Sequence, residues 1–328
     1  TLGQKNTLES LDDYITDAGI NLADFNGITD QVTVDGSLYE LPFRSDYWLI
    51  YYNKDVFDAA GIAYPSNDMT MEDYDALARQ LTDTTYGSQV YGCHYHTWRS
   101  AVELFGILDG KHSILDGNYD WMIPYYDMIL SEEDDGVCQT YTDLSTEGLH
   151  YSAAFSNGNV AMMNMGSWFI STLISNLDSG EYDSSLCGNW GIASYPHPDG
   201  AEAGSTIATI TGLAVTSASA NKDAAFDFVN WVSGTEGAKV MASTGNFPAI
   251  MTDDVINTIA GMAGFPTDEG SKEALNITNA YLEVPYAENV SEINSILDTY
   301  HTSIMNREVT VEEGVASMNE QVGKILNQ

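Results

Sequence analysis

The chain has 328 residues, 44% of them hydrophobic, so it can bury a sizeable core and exceeds the usual span of one domain. Lys and Arg total 11 against 48 Asp and Glu, and the resulting formal charge of −37 repels phosphate backbones and anionic membrane surfaces, which argues against a nucleic-acid partner. Salt screens such a field beyond about 8–10 Å, so the charge does not exclude a small anion from a local pocket.

In chain order, Leu8, Leu11 and Ile15 stand at helical spacing, followed by turn formers from Asn21 to Asp30 and a tight turn at Asp35-Gly36. Aromatic and branched runs from Ser37 to Phe43 and from Trp48 to Tyr52 predict two strands, with the polar Arg44-Ser45-Asp46-Tyr47 between them. Thr70 followed by Asp73 resembles a capping box with Asp in place of Glu, ahead of a helical face of Tyr74, Leu77, Ala78 and Leu81. Glu132-Glu133 and Asp134-Asp135 sit on a Ser/Asp/Gly-rich stretch and read as solvated surface. The longest apolar run, Val160 to Ile174, is interrupted by Asn164, Gly166 and Ser167 and is shorter than the roughly 20 residues of a spanning helix.

Further on, Gly191 to Tyr195 and Ile207 to Val215 read as strands, and His197 to Gly204 as a loop. Helical faces recur at Ala225, Phe228, Val229 and Val232, and at Val311, Val315, Met318, Val322 and Ile325. Alternating strands and helices imply an α/β architecture, and two domains are expected from the length. Cys93, Cys138 and Cys187 are too few for a disulfide framework, and no CxxC spacing suggests zinc. Cys93, His94 and His96 lack a recognisably spaced fourth ligand, so neither a metal nor a cofactor is expected.

Four ordered stretches carry a resemblance. The first is Asp35-Gly-Ser-Leu-Tyr-Glu-Leu-Pro-Phe43 running into Leu49-Ile-Tyr-Tyr-Asn-Lys-Asp55, then Ala60-Gly-Ile62 and Pro65. The second is Ala154-Phe-Ser-Asn-Gly-Asn-Val-Ala-Met162 with Gly166-Ser-Trp168, and the third runs from Trp190-Gly-Ile-Ala-Ser-Tyr-Pro196 to Thr211-Gly-Leu-Ala-Val215. The fourth is Asn221-Lys-Asp-Ala-Ala-Phe-Asp-Phe-Val229 with Thr235-Glu-Gly237 and Gly245-Asn-Phe-Pro248. Together they resemble the extracellular solute-binding proteins of ATP-driven (ABC) importers, the family that includes maltose-binding protein.

The resemblance implies a periplasmic-binding-protein-like α/β fold with two lobes joined by hinge strands and a ligand cleft between them. Residues 1–45 and 212–260 would form the first lobe and residues 46–211 and 261–328 the second, with hinge crossings near Asp46 and Thr211. Family members begin with further βαβ units, about 80–100 residues at 30 or more per unit, so the first lobe is expected to be incomplete at its N-terminus. Expected partners are a sugar or short oligosaccharide and the permease subunits of an importer, for an extracytoplasmic monomer that is periplasmic or a cell-surface lipoprotein.

Sugar recognition needs flat aromatic faces and planar polar groups that satisfy each buried hydroxyl. By motif position, the resemblance makes Trp168 a stacking residue and Asp46 a hydroxyl acceptor, with Trp48, Arg44 and Tyr47 beside it. His96, Trp98 and Arg99 fall on a cleft-lining loop, and Glu103 beyond them reads as structural. Thr211, Gly212, Asn246 and Phe247 match cleft-edge turns. Tyr286 falls on a late segment that can add an aromatic platform, where Asn294 stands in place of an aromatic side chain. A glycoside hydrolase is the enzyme alternative, since it too needs aromatics and carboxylates, but no Gly-x-Ser-x-Gly elbow, Walker loop or HExxH is present. A receptor for a polyamine, peptide or phosphate ester is the binding alternative.

Overall fold

The computed structural model describes residues 7–25, 27–83 and 89–327. Its strands are β1 (Leu41–Asn53), β2 (Tyr91–His94), β3 (Val160–Gly166), β4 (Trp190–Ala193), β5 (Thr206–Leu213) and β6 (Ala280–Leu282). They form one curled sheet in the order β2-β3-β1-β5-β6, with β4 also paired to β1. Parallel pairs (β2 with β3, β5 with β6) flank the antiparallel centre, and helices cover the apolar faces.

The two strands expected around Arg44–Tyr47 are one continuous strand of 13 residues. The polar segment does not break it because Arg44 and Asp46, two residues apart, project from the same face and pair at 2.6 Å. The first half of β1 pairs with β5, from Leu41 opposite Leu213 to Tyr47 opposite Ala208, with a register shift between Pro42 and Arg44. The second half takes new partners: β3 on one side, from Trp48 opposite Gly166, and β4 on the other, from Ile50 opposite Ala193. The change falls between Tyr47 and Trp48.

Local signals act as read in several places. Asp35 and Gly36 both have positive φ, and Val34 and Ser37 exchange two backbone hydrogen bonds at 3.0 Å, the geometry of a type I′ turn. Thr70 and Asp73 cap the helix Met71–Asp83 reciprocally, each side chain accepting from the other's backbone N–H at 3.1 Å. The helix Lys222–Ser233 departs from its expected face: Phe226, Val229 and Ser233 point inward, while Phe228 is 61% and Trp231 54% exposed. Among the described residues, no helix is long and apolar enough to cross a membrane.

Glu132 and Glu133 are also corrected. They lie in the last turn of the helix Ile123–Asp134 and are buried, leaving Asp134 and Asp135 on the surface. Arg307 and the Tyr141 backbone N–H satisfy Glu133. Burial pushes the Glu132 carboxyl up to about 8. The three cysteines are buried and free.

Two interior histidines set an acid limit on the fold. His301, with Nδ1 3.0 Å from the Tyr126 hydroxyl, is pushed down to about 3 by burial and by the Arg99 charge, and burial with His96 does the same to His94. Both stay neutral in the folded chain, whereas unfolded histidine charges near pH 6.5. The unfolded state therefore binds more protons between these values, so stability is full above about pH 6.5 and falls on acidification by up to about 1.4 kcal/mol per pH unit per histidine. Urea titrations from pH 7 to pH 4 should record that fall, and His301→Gln should make it shallower by roughly one proton. A slope unchanged by the substitution contradicts a buried neutral His301.

Candidate functional site

The site is assembled where β1 changes partners. β3 ends at Gly166, and the helix Trp168–Ser179 starts two residues later, so Ser167 sits in a tight connection. Its N–H donates to the Tyr47 carbonyl at 2.8 Å, its Oγ accepts from the Tyr47 N–H at 3.2 Å, and it donates to Asp46 Oδ1 at 3.0 Å. Asp46 is 6% exposed; burial raises its pKa, and the Arg44 and Ser167 contacts offset this only in part. Its carboxylate thus holds the turn that presents Trp168.

Trp168 lies flat over Gly166, where a Cβ would come 2.0 Å from the indole Cζ3. Its Nε1 donates to the Tyr151 hydroxyl at 3.1 Å. Trp48 meets it edge-on at 5.5 Å between centroids and forms a buried floor, 3% exposed. Trp98, 40% exposed, lies 6.4 Å from each of the other two indoles. His96 packs against Trp98 at 4.6 Å and Tyr151 at 5.4 Å, and His150 lies 4.0 Å from Tyr151. Burial and the facing His150 push His96 down to about 4, so it presents a neutral imidazole near pH 7. Two partly open indole faces therefore stand over a closed indole floor.

A polar wall adjoins this cluster. Glu283, just beyond β6, accepts from Trp48 Nε1 at 3.4 Å, from Thr209 Oγ1 at 3.0 Å and from the Ser100 hydroxyl. Trp98, Ser100, Glu283, Asn294 and Asp298 line a pocket of about 320 Å³. Flat apolar faces beside hydroxyl and carboxylate groups are what a polyhydroxylated ring needs.

Of the remaining sequence candidates, Arg99 also lines this pocket, and the others lie elsewhere. Arg99 is buried in a network with Glu103 at 2.6 Å, Asn294 Oδ1 at 2.6 Å and Asp298, so it ties the helix Ser100–Ile107 to Val290–Met305. Asn294, in the place of an expected aromatic, is thereby Arg99's acceptor. Tyr47 and Phe247 pack on each other at 5.9 Å, both shut from solvent. Thr211 and Gly212 are not turn residues; they lie within β5 opposite Arg44 and Pro42, and a Cβ on Gly212 would meet Glu40 at 2.5 Å. Asn246 follows Gly245, which has φ +76°, and bonds Thr244 Oγ1 at 2.9 Å. Tyr286 donates to Glu40 at 2.6 Å and lines a mainly apolar cavity of about 380 Å³ with Leu8, Tyr39 and Val290, which meets the polar wall at Thr209 and Glu283. Sequence reasoning misses Tyr151, His150, Glu283, Ser100 and Thr209. Tyr151 alone carried a signal, lying three residues ahead of the Ala154–Met162 stretch.

Two sheet halves sharing one long strand, with an aromatic cluster and a polar pocket beside the shared segment, define the two-lobed periplasmic-binding-protein-like class. The chain belongs to the bacterial extracellular solute-binding protein family, whose family model matches residues 1–239. It is similar to a sugar transporter from Rhizobium etli in an open conformation, with 46% identity and a TM-score of 0.92 over 98% of this chain and 81% of that one. A substrate-binding protein from Listeria monocytogenes in complex with cycloalternan shares the fold at 22% identity and a TM-score of 0.80, covering 99% of this chain and 81% of that one. So does a sugar-binding protein from Xanthomonas citri, at 19% identity and 0.75, covering 99% and 80%. No curated protein sequence matches the chain at a significant level.

The packing of Trp168 on Gly166 is testable. Gly166→Ala should displace the indole, shift the intrinsic tryptophan fluorescence and cost about 1–3 kcal/mol in chemical denaturation, the usual range for overpacking. A variant with wild-type fluorescence and stability contradicts the contact.

Proposed function

We propose that this protein captures an uncharged sugar or short oligosaccharide between its lobes and delivers it to the permease subunits of an ABC importer, with no chemical turnover. The observation that carries the reading is the group of three tryptophans with Tyr151 and His96, set beside the Glu283 wall. Trp168 and Trp98 would take the C–H faces of sugar rings, and Glu283, His96 and Ser100 would meet hydroxyls. Asp46 and Arg44 would act as positioning residues for Trp168. The sugar transporter similar at 46% identity supports the ligand class. The charge arrangement supports an uncharged ligand over a phosphate ester, because both guanidiniums among the candidates, Arg44 and Arg99, are already engaged by carboxylates.

In this reading the lobes divide where β1 changes partners, between Tyr47 and Trp48, and where the chain enters β5 at Thr206. A ligand touching both walls would favour the closed state over the open one. The extracytoplasmic setting follows the family, and a lipid anchor belongs to the same proposal.

Calorimetric titration with mono- and oligosaccharides should reveal one site, and incubation with the same sugars should release no product. Trp168→Ala should weaken binding by roughly 30-fold or more, the effect of losing about 2 kcal/mol from a central aromatic anchor. Melting of the unliganded variant separates this from core damage. Steady release of reducing ends overturns the binder reading, and unchanged affinity removes Trp168 from the site.

A further inference from the structure

The interior between β2 and the helix Ile123–Asp134 holds a polar cluster with no part in the sugar cleft. Strand alternation sends His94 toward His96, while Cys93 and Tyr95 turn to the opposite face, toward Glu132. The chain supplies a second thiol there by a tight reversal. Gly136, at φ +69°, ends the helix, Val137 N–H returns to the Glu132 carbonyl at 2.8 Å, and Val137 O accepts from Cys93 N–H at 3.4 Å. That geometry delivers Cys138 beside Cys93.

As a result, the Cys93 and Cys138 sulfurs and a Glu132 carboxylate oxygen all lie within 4.8 Å of one another. All three residues are at most 3% exposed. Among the described residues, no well-formed hydrogen bond reaches either Glu132 carboxylate oxygen or the hydroxyls of Tyr95 and Tyr74, although Tyr95 stands close to Glu132, Tyr74 and Cys93, and Asp75 close to Glu132. Tyr95 and Tyr74 face Glu132 and Cys93, and are 5% and 0% exposed. Buried polar atoms are rarely left unpaired, and four in one cluster point to a ligand that would satisfy them.

We propose that Cys93, Cys138 and Glu132 form a buried structural site for a borderline-soft divalent cation, zinc, with the Tyr95 hydroxyl adjacent to the fourth position. The donor types suit zinc, which takes thiolate and carboxylate oxygen together. The spacing suits it too, since tetrahedral zinc at about 2.3 Å from each sulfur holds two sulfurs about 3.8 Å apart, within the span available here. Two thiolates and a carboxylate exceed the charge of the ion by one, and the neighbouring Asp75 carboxylate is itself paired with Arg79 at 2.8 Å. The scaffold is rigid, because Cys93 sits on a strand paired with β3 at Met162 and Glu132 on a helix. This site differs in residues and in strand face from the Cys93, His94 and His96 grouping dismissed on spacing.

The test uses the full chain, reduced with a phosphine, loaded with zinc or cobalt and desalted. Elemental analysis should find one zinc per chain, and the cobalt form should show thiolate-to-metal charge transfer. Cys93→Ser, Cys138→Ser and Glu132→Gln should each lower metal affinity at least tenfold, and Cys187→Ser should leave it unchanged. Glu132→Gln preserves size and removes the ionisable carboxyl, so it tests the site even if a cysteine variant unfolds; melting of each variant without metal identifies such a case. Reduced protein that retains no zinc overturns the proposal. So does metal bound without the charge-transfer band, or with an affinity indifferent to Glu132→Gln.

Discussion

One strand that must change partners without breaking governs this structure. Between Tyr47 and Trp48, β1 leaves β5 for β4 and β3, and the backbone groups there would be orphaned in the interior without hydroxyls to meet them. Ser167 serves both the N–H and the carbonyl of Tyr47, and Thr206 Oγ1 donates to the Trp48 carbonyl at 2.5 Å. Three bonds, two through the Ser167 and Thr206 hydroxyls and one from the Ser167 backbone N–H, keep β1 continuous while the sheet curls around it. Asp46, neutralised by Arg44, accepts from the same Ser167 and locks the crossing to the turn that carries Trp168.

The aromatic cluster follows from that crossing. Because Trp48 is the first residue beyond the partner change, its indole becomes a floor shared by Trp168 from the turn after β3 and Trp98 from the loop after β2. Glu283 reaches Trp48, Thr209 and Ser100 from beyond β6, so the polar wall spans β1, β5 and the helix Ser100–Ile107. A shift in the crossing would move both walls together, which is how a capture protein can couple ligand contact to lobe position.

Much of the fold was legible because its signals are local. The Asp35-Gly36 turn needs positive φ at two successive residues, and the Thr70–Asp73 cap needs only three-residue spacing. The continuity of β1 was hidden because Arg44 and Asp46 look solvated in sequence, yet cancel each other's charge on one face of a buried strand. Glu132 misleads in the same way, an acid among acids that the helix geometry turns inward. Of the aromatic cluster, Trp48, Trp98, Trp168 and His96 stand at motif positions. Tyr151 was signalled only by its place three residues ahead of the Ala154–Met162 stretch, and its neighbour His150 and the distant Glu283 by nothing. Phe247 and Tyr47 carried site-like chemistry that the structure commits to packing, and Arg99 lines the polar pocket from within a buried ion pair.

The central claim is that the partner change in β1 builds a sugar-stacking surface. A crystal structure of the chain with its tightest-binding saccharide tests this most directly. The expected result is a ring face stacked on Trp168 or Trp98, with a hydroxyl donating to Glu283. A sugar seated instead in the apolar cavity of Leu8, Tyr39 and Tyr286, with the tryptophans bare, would contradict it.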